Sequence, residues 1–295
     1  MPSRNALAAA AAAGAASAVA ARALVVEPRR IAVRRLDLEL PRWPRALDGL
    51  RVALVSDLHA GGPHVGVDRV ERVVRVTQRT RPDLVALLGD YVDPEVAFGG
   101  EVAPEAVASR LGRLRAPLGV VAVLGNHDWS TDGPRVAGAL QDAGIRVLEN
   151  EAIRLGRTPA ELWLAGVADA TRRIPDIGRA LAAVPDDAAL LMLSHDPDVF
   201  PRVPASVALT LSGHTHGGQI NVPVVRGRWT PSRFGERYAE GHVVEDGRHL
   251  FVSRGIGSSR LPVRLGAPPE IVVLRLRGYA ESPTGQLTPV PPIPQ

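Results

Sequence analysis

The sequence predicts an α/β protein, in which buried strands alternate with helices. Two observations lead to this class: five continuous apolar runs, and apolar residues at helical spacing between several of them. Hydrophobic residues make up 45% of the 295 residues and charged residues 22%, which excludes a disordered chain. A chain of this length buries a sizeable core. We therefore expect a sheet covered by helices on either side.

The first 26 residues differ in composition from the rest of the chain. Ala6 to Val26 is mostly alanine, with Gly14, Ser17 and Arg22 as interruptions, and Arg4 precedes it. Ala18-Val19-Ala20 has the small-x-small pattern of a cleavage site, so residues 6–26 are predicted to be an export signal or a weak membrane anchor. Arg22 shortens the apolar run toward the lower limit for spanning a bilayer. A leader without a membrane role, and hence a cytoplasmic protein, remains the alternative.

Residues 27–49 are predicted as a lead-in strand and a linker. Within Ile31–Leu40, leucines alternate with Asp37 and Glu39, which indicates a half-buried strand. Residues 50–277 are predicted to form the main domain. Residues 278–295 are Pro-rich without periodic apolar residues, and are predicted to be a disordered tail.

The main domain contains the five apolar runs, each read as a buried strand, with helices between several of them. The runs are Val52–Val55, Leu84–Leu88, Gly119–Leu124, Ala189–Leu193 and Val207–Leu211. The predicted helices are Val67–Val74, Pro104–Leu114 and Pro134–Ala143. Shorter strands are predicted near Ile145–Leu148, Leu162–Leu164, His249–Ser253 and Ile271–Leu276.

Each of the five apolar runs ends in a polar cluster. The clusters are Ser56–His59, Gly89–Asp93, Gly125–Asp128, Ser194–Asp196 and Ser212–His216. Ligands of α/β proteins bind beyond the carboxyl ends of the strands, so the five clusters are expected to meet at one rim. Five of the eight histidines lie in them, a concentration that packing does not explain.

The donors in these clusters are carboxylates, imidazoles and one amide. The chain has no cysteine, which excludes a disulfide framework, a thiolate nucleophile and a Cys-ligated zinc. Nitrogen and oxygen ligands suit Mn, Fe, Zn or Mg. Seven donors exceed what one ion needs, so two divalent ions are favoured, with a carboxylate as the natural bridge between them.

In this order the five clusters resemble the calcineurin-like metallophosphoesterases, over residues 50–277. The resemblance implies a four-layer α/β/β/α fold with the metal site at the carboxyl ends of the strands. It implies one ion held by Asp57, His59, Asp90 and His216, and a second held by Asp90, Asn126, His195 and His214, with Asp90 as the bridge. His127 would be the acid near the leaving group, oriented by Asp128. Asp93 is expected to cap or orient its own loop.

The resemblance also implies the reaction, the hydrolysis of a phosphate ester by in-line attack of a metal-bridging hydroxide. Gly213–Gln219 and Ser253–Ile271 are similar to a bacterial branch of membrane- or wall-associated phosphodiesterases, so the substrate is expected to be a small or lipid-linked phosphoester. One alternative is a UDP-2,3-diacylglucosamine-type pyrophosphate hydrolase acting on a lipid precursor. An alternative of another class is a metal-binding scaffold without turnover.

Charge and composition favour no nucleic-acid partner. The formal net charge is only +4, and no basic stripe with interleaved aromatics is visible among 4% aromatic residues. Arg254, Arg260 and Arg264 follow the last cluster, where phosphate contacts are plausible because Arg binds phosphate bidentately. The sequence assigns none of them a role. It also leaves the metal identity, the substrate and the oligomeric state open.

Overall fold

Two six-stranded sheets form the centre of the computed structural model, which describes residues 3–156, 160–222 and 230–279. The first sheet has the spatial order β1 (Ala32–Leu40), β12 (Glu270–Gly278), β2 (Leu50–Val55), β3 (Leu84–Leu87), β4 (Val120–Ala122) and β5 (Arg146–Val147). The second has the order β10 (Gly241–Glu245), β11 (Arg248–Val252), β9 (Leu209–Ser212), β8 (Ala189–Leu193), β7 (Leu162–Gly166) and β6 (Glu151–Arg154). The predicted Pro-rich tail lies almost wholly outside the described residues.

Most neighbouring strands are parallel, which places their carboxyl ends at the same edge. In the first sheet β2, β3, β4 and β5 are parallel to one another, and β12 is antiparallel to β2. In the second sheet β7, β8, β9 and β11 are parallel, and the edge strands β6 and β10 are antiparallel to their neighbours.

Three apolar clusters define four layers. One cluster joins the inner faces of the two sheets, for example Val52 and Leu54 with Leu191 and Leu193. A second lies between the outer face of the first sheet and the helices α2 (Val67–Arg79), α3 (Pro104–Leu111) and α4 (Asn126–Asp142). A third lies between the second sheet, α5 (Ile177–Leu181) and the 3₁₀ segment Pro197–Arg202. The α/β/β/α arrangement is confirmed.

The expectation of helices on both faces of a sheet is wrong in one respect. Successive residues of β2 point alternately to the other sheet and to the helices, so Val52 and Leu54 face the second sheet whereas Ala53 and Val55 face α2–α4. Burial on both faces gives a continuous apolar run whichever element covers the strand. The sequence pattern therefore cannot distinguish a helix from a second sheet as the covering layer.

The N-terminal helix α1 (Arg4–Ala21) stands apart from these layers and has no buried residue. A π-helical segment, Arg22–Val26, continues it. Together they form a 23-residue helical stretch with a mean hydropathy of 1.7, long and apolar enough to cross a membrane. A signal sequence has the same length and composition, so both predicted roles of residues 6–26 stay open.

Helix α4 begins at Asn126, well before the predicted start at Pro134. The backbone leaves helical geometry at Asp132 (φ −172°, ψ 84°), two residues before Pro134. Asp132 Oδ1 accepts the N–H of Arg135 at 3.2 Å, so Asp132 caps a second helical segment. Pro134 lies in the first turn of that segment, where its missing N–H costs nothing. The sequence pattern had detected only the second half of the helix. The first half places Asn126, His127 and Asp128 in its first turn.

Candidate metal centre

The five predicted clusters meet at one rim that both sheets form. β2, β3 and β4 of the first sheet are followed by Asp57 and His59, by Asp90, and by Asn126. β8 and β9 of the second sheet are followed by His195 and by His214 and His216. The structure therefore brings all seven predicted ligands together, although their positions span 160 residues of sequence.

One group of donors consists of Asp57, His59 and His216. The Nε2 atoms of His59 and His216 lie 3.0 Å apart. Asp57 Oδ1 lies 3.6 Å from His216 Nε2 and 3.9 Å from His59 Nε2. All three side chains are buried. Three ligand atoms so close together, without an apolar side chain between them, form a potential metal-binding group.

A second group consists of Asp90, Asn126, His195 and His214. His195 Nε2 lies 3.2 Å from each of Asp90 Oδ2, Asn126 Oδ1 and His214 Nδ1. Asp90 Oδ2 is also 3.5 Å from His59 Nε2, in the first group. This one carboxylate oxygen therefore lies between the two groups, where a bridging ligand would have to be.

The hydrogen bonds of two histidines fit metal binding. Asp93 Oδ2 lies 2.7 Å from His59 Nδ1, and the carbonyl oxygen of Leu88 lies 2.6 Å from His195 Nδ1. Because both partners are acceptors, the neutral form of each imidazole has its proton on Nδ1 and its lone pair on Nε2. Metal-bound histidines are oriented in the same way by a carboxylate or carbonyl at the second ring nitrogen. His59 and His195 are therefore oriented as metal ligands.

The backbone at five of the seven predicted ligands is in the left-handed region. The φ angles are 51° at Asp57, 46° at His59, 56° at Asp90, 71° at His214 and 54° at His216. Only a few per cent of non-glycine residues adopt positive φ. Such backbone strain concentrates where the surrounding structure holds a functional side chain in place. The periodicity of apolar residues in the sequence does not predict these positive φ angles.

Glycines next to the ligands allow the close approach of neighbouring strands. A Cβ at Gly125 would collide with Asp90 Oδ1 and lie 2.7 Å from His195 Cε1. A Cβ at Gly213 would collide with Ser56 Oγ and lie 2.5 Å from Asp57 Oδ2. A side chain at either position would therefore displace a predicted ligand.

Asp93, and not Asp128, contacts the imidazole of His127. Asp93 Oδ2 lies 3.1 Å from His127 Nδ1 and also contacts His59. The predicted partnership of Asp128 with His127 is wrong in this structure. Asp128 is buried and accepts hydrogen bonds from the backbone N–H groups of Gly125, Asp90 and Tyr91, at 2.9, 2.8 and 2.8 Å. It fixes the backbone of two ligand loops.

The charges of the centre shift several pKa values. Burial alone would raise the pKa of Asp90, but the imidazoles of His195 and His59 hold it well below its usual value. Burial opposes protonation of His127, yet the contact with Asp93 raises its pKa. Burial and the neighbouring Asp90 raise the pKa of Asp128 to about 7, against the lowering effect of its backbone donors.

Arg264 supports the centre from the protein interior, and its side chain does not reach solvent. Its side chain is fully buried. The guanidinium donates to the carbonyl oxygens of His216 (3.0 Å), Ala267 (3.1 Å) and Arg254 (2.8 Å), and Nη2 lies 2.9 Å from His216 Nδ1. A phosphate contact by Arg264 is therefore excluded by its burial in this structure. It fixes the strained backbone of a predicted ligand instead.

Asp169 is a further buried carboxylate near the centre that the sequence analysis did not identify. It follows β7, and Oδ2 accepts the backbone N–H groups of Thr171 and Arg172 at 3.1 and 2.6 Å. Its Oδ1 has no hydrogen-bond partner within the described part of the chain. The available signal was its place after an apolar run, Leu162–Leu164, which had been predicted as a strand.

The comparisons with known proteins agree with this geometry. Residues 50–152 match the family described as calcineurin-like phosphoesterase. The chain is 32% identical over 255 residues to the uncharacterized metallophosphoesterase YkuE of Bacillus subtilis, covering 85% of this chain and 87% of YkuE. It is 31% identical over 234 residues to the phosphodiesterase YaeI of Escherichia coli, covering 77% and 82%. It is 26% identical to the UDP-2,3-diacylglucosamine pyrophosphatase LpxG of Chlamydia trachomatis, covering 85% and 90%.

Proposed function

We propose that the protein is a phosphodiesterase with two divalent ions. The premise is that the chain belongs to the calcineurin-like phosphoesterase family and is a metal-dependent hydrolase of phosphoric esters. We infer the second ion from the position of Asp90 Oδ2, which lies 3.5 Å from His59 Nε2 and 3.2 Å from His195 Nε2. One ion would be held by Asp57, His59, Asp90 and His216. The other would be held by Asp90, Asn126, His195 and His214.

Two ions in such a centre supply an activated water and neutralise charge on the phosphoryl oxygens. The residues of the chain have three tasks around them. Asp93 and the Leu88 carbonyl fix the orientation of two imidazoles, Asp128 fixes the backbone of the Asp90 loop, and Gly125 and Gly213 leave room for the ligands to approach. The strained ligand backbones thus reach the centre already in place, which reduces the reorganisation required on binding.

We further propose that His127 protonates the leaving oxygen. Its side chain is only 15% exposed and its Nδ1 faces Asp93, so its Nε2 is the nitrogen left for a substrate. Ser259 Oγ lies 3.4 Å from this Nε2, which marks the side from which a leaving group would approach. A carboxylate behind an imidazole favours its protonated form. His127 is therefore suited to hold a proton at Nε2 and release it to an alkoxide.

The preference for a diester over a monoester rests on the similarity to the phosphodiesterase YaeI and on the motifs Gly213–Gln219 and Ser253–Ile271. LpxG is named a pyrophosphatase of UDP-2,3-diacylglucosamine, and its similarity over 85% of this chain supports the second candidate, a pyrophosphate bond in a lipid precursor. Both reactions displace an oxygen leaving group from phosphorus, so the same centre serves either.

The decisive experiment is metal analysis combined with a substrate panel. Metal-reconstituted protein would be assayed with bis(p-nitrophenyl) phosphate, p-nitrophenyl phosphate and a nucleotide-linked lipid pyrophosphate, each with Mn, Fe, Zn and Mg. We expect about two ions per active chain and a diester rate above the monoester rate. One ion or none in the active protein would contradict the two-ion proposal, and no turnover with any metal would favour the scaffold.

Two ligand variants sharpen the test. Asp90→Asn is expected to lower the metal content at both positions, because its oxygen lies between the two groups. His59→Ala is expected to empty mainly one position. Asp37→Asn is a matched control, because this carboxylate lies in β1, is 57% exposed and pairs with Arg277. Equal metal content in Asp90→Asn and Asp37→Asn would contradict the shared role of Asp90.

We also propose that residues 6–26 associate the protein with a membrane or direct its export. This proposal rests on the 23-residue apolar stretch Arg4–Val26. Fractionation of the full chain with the membranes, or N-terminal sequencing of a shortened exported form, would support it. Recovery of the uncleaved chain as a freely soluble protein would contradict it.

A further inference from the structure

An exposed apolar rim lies beside the metal centre. It consists of Phe98, in the loop that follows Asp93, and Leu261, in the segment that follows Ser259. Phe98 is 91% exposed and Leu261 is 45% exposed. Each is only a few residues from a side chain that contacts the proposed acid, since Asp93 and Ser259 both lie against His127.

The backbone on both sides of Phe98 is firmly held, although its side chain is exposed. The N–H of Ala97 donates to the carbonyl of Arg260 at 2.8 Å, and the N–H of Gly100 donates to the carbonyl of Gly61 at 2.7 Å. Phe98 itself has a φ of 62°, which is a rare conformation for a bulky residue. An aromatic side chain that an ordered, strained backbone presents to solvent suggests a contact surface.

Leu261 is held in the same way by the last residue of the Gly213–Gln219 motif. The Gln219 amide nitrogen donates to the carbonyls of Ser259 and Leu261, at 3.2 and 2.9 Å. Its Oε1 accepts the N–H of Ser259 at 2.9 Å. The Ala97–Arg260 hydrogen bond then joins this segment to the Phe98 loop. The two apolar side chains thus belong to one rigid rim.

The same segment contacts the end of the N-terminal apolar helix. The N–H of Arg264 donates to the carbonyl of Ala23 at 3.0 Å. Leu24, Val25 and Val26, which follow Ala23, are 45%, 43% and 55% exposed. The exposed end of the 23-residue helical stretch is therefore hydrogen-bonded to Arg264, which is only three residues after Leu261 in the chain.

We infer that the rim formed by Phe98 and Leu261 rests on a lipid bilayer, with the centre opening at the bilayer surface. This inference rests on the proposed phosphodiesterase function and specifies its substrate as a phosphoester at a membrane surface. A lipid bilayer is inferred as the partner because the rim adjoins an apolar helix that is long enough to cross a membrane. Apolar side chains that bind a bilayer surface insert about 5–10 Å, into the boundary between headgroups and acyl chains.

The contact is assigned to the apolar side chains and not to charge. Arg260 lies between the two parts of the rim and is exposed, but Glu95 and Glu101 are exposed in or beside the Phe98 loop. Arg260 offsets only one of the two carboxylates, so the small net charge of the rim is negative and does not attract anionic lipid. Docking is therefore expected on phosphatidylcholine vesicles as well as on vesicles that contain phosphatidylglycerol.

The absence of cysteine from the chain allows a direct test. Single variants Phe98→Cys, Leu261→Cys, Leu24→Cys and Val244→Cys of the full chain would carry a polarity-sensitive fluorophore and be reconstituted in phosphatidylcholine vesicles with nitroxide-labelled lipid. Val244 is the matched control, since it is 54% exposed on the edge strand β10. We expect lipid quenching at positions 24, 98 and 261, well above that at 244.

Two outcomes would overturn the inference. Quenching at 24 but not at 98 or 261 would mean that the helix inserts and the rim stays in water. No quenching at any of the four positions would mean that the helix does not hold the protein on a bilayer. Neither outcome depends on catalysis, so hydrolysis of bis(p-nitrophenyl) phosphate in the same vesicles separates failure of this inference from failure of the proposed function.

A kinetic test distinguishes docking from a structural role. The double variant Phe98→Ser with Leu261→Ser is expected to lose about tenfold in rate on an acyl-chain nitrophenyl phosphodiester embedded in vesicles, as the burial of an aromatic side chain would allow. Its rate on the soluble diester should be unchanged. Unchanged rates on both substrates would contradict docking, and so would an equal loss on both at an unchanged melting temperature.

Discussion

One oxygen of Asp93 contacts two histidines that serve different purposes. It accepts from Nδ1 of His59, a predicted metal ligand, and lies 3.1 Å from Nδ1 of His127, the proposed acid. A single carboxylate thus couples the orientation of the metal group to that of the proton donor. Asp128, next to His127 in sequence, acts on backbone N–H groups instead. Adjacent positions in the chain therefore carry different functions.

The first prediction concerns the leaving group. His127→Ala is expected to slow hydrolysis of an alkyl phosphodiester by about 10²–10⁴-fold, the usual contribution of a general acid. A nitrophenyl ester should be affected much less, because nitrophenolate leaves without a proton. Metal content should stay unchanged, since His127 is outside the proposed ligand set. The measurements are initial rates on both esters and elemental analysis.

Two neighbouring carboxylates serve as variant and control in this experiment. Asp93→Asn should reproduce the dependence on the leaving group, because it weakens the contact behind the imidazole. Asp128→Asn should lower the melting temperature without that dependence. Equal losses on both esters for His127→Ala, with metals bound, would contradict the general-acid role and indicate stabilisation of phosphoryl charge.

The second prediction concerns Arg264. Arg264→Lys keeps the charge but loses the planar fork that serves several acceptors at once. Buried carbonyls left without a donor cost about 1–3 kcal/mol each, so the free energy of unfolding should fall by at least that amount. Metal content at the Asp57, His59 and His216 group should fall as well, because Arg264 contacts both the carbonyl and the ring of His216.

Arg260→Lys is the control for Arg264→Lys. It lies four residues earlier, is exposed, and is not buried against the centre. Chemical denaturation and elemental analysis would be compared for the two variants. Unchanged metal content in Arg264→Lys would show that Arg264 supports the fold without positioning His216.

At the scale of elements, the hairpin of β10 and β11 contains a pair of neutral histidines. The rings of His242 and His249 stack with centroids 5.1 Å apart, and His242 Nε2 lies 3.0 Å from His249 Nδ1. Burial and the neighbouring His249 lower the pKa of His242 to about 4. Burial also lowers the pKa of His249. Folding therefore favours the neutral form of both rings.

The third prediction is a loss of stability in acid that depends on this pair. An unfolded histidine has a pKa of about 6.5, so between about pH 6.5 and 4 the unfolded chain binds more protons than the folded one. The free energy of unfolding then decreases as the pH falls through that range, and by pH 5 His242 accounts for about 1–2 kcal/mol. Above about pH 6.5 the pair has no effect.

Melting curves at pH 7 and pH 5 would test this in chelated protein. The double variant His242→Gln with His249→Gln should lose less stability on acidification than the wild type. The histidines of the metal centre contribute equally to both proteins, so the difference isolates the pair. The same decrease in melting temperature for both proteins would contradict the prediction.

The elements that the sequence predicts best are those with the strongest periodicity. Strand β8 coincides with the predicted run, and α2 begins at the predicted residue, Val67. The short edge strands β6 and β10 were not predicted, because they are half-exposed and lack a continuous apolar run. The start of α4 was missed because its first turn consists of polar site residues. Local patterns identify buried elements and fail where tertiary contacts or function override propensity.

In the candidate centre, too, local sequence patterns predict some features and miss others. The clusters that contain the seven predicted ligands could be found from their positions after apolar runs, because parallel strands bring their carboxyl ends together. The resemblance to the metallophosphoesterases then indicated which side chains in those clusters are the ligands. The roles of Asp93, Asp128, Asp169 and Arg264 could not be read in this way. Asp93, Asp128 and Arg264 each contact a backbone group or a ring that is more than 30 residues away in sequence. Such contacts are decided by packing and leave no local pattern.

At the scale of the whole molecule, the border between the N-terminal helix and the folded part lies earlier than residue 26. Helix α1 has no buried residue, whereas Ala23 and Glu27 are 7% and 2% exposed. Arg69 of α2 donates to the carbonyls of Pro28 and Arg30, at 3.0 and 2.6 Å. We therefore expect residues from Arg22 onward to belong to the folded domain.

The fourth prediction compares two shortened chains. A chain beginning at Arg22 should melt at the temperature of the full protein, because it keeps Ala23 against Arg264 and Pro28 to Arg30 against Arg69. A chain beginning at Ile31 removes the acceptors of Arg69, whose burial already lowers its pKa to about 10. Leaving a buried donor without a partner costs about 1–3 kcal/mol, so this chain should melt at a lower temperature.

A further substitution identifies the cause of the difference between the two chains. Arg69→Met removes the unpaired guanidinium, so it should restore part of the stability of the chain beginning at Ile31 and destabilise the chain beginning at Arg22. Such opposite signs are expected only if Arg69 and residues 28–30 act as a pair. Both shortened chains should hydrolyse bis(p-nitrophenyl) phosphate when metal is supplied, because no predicted ligand precedes Asp57. Equal melting temperatures for the two chains would place residues 22–30 with the helix, and the folded domain would then begin at Ile31.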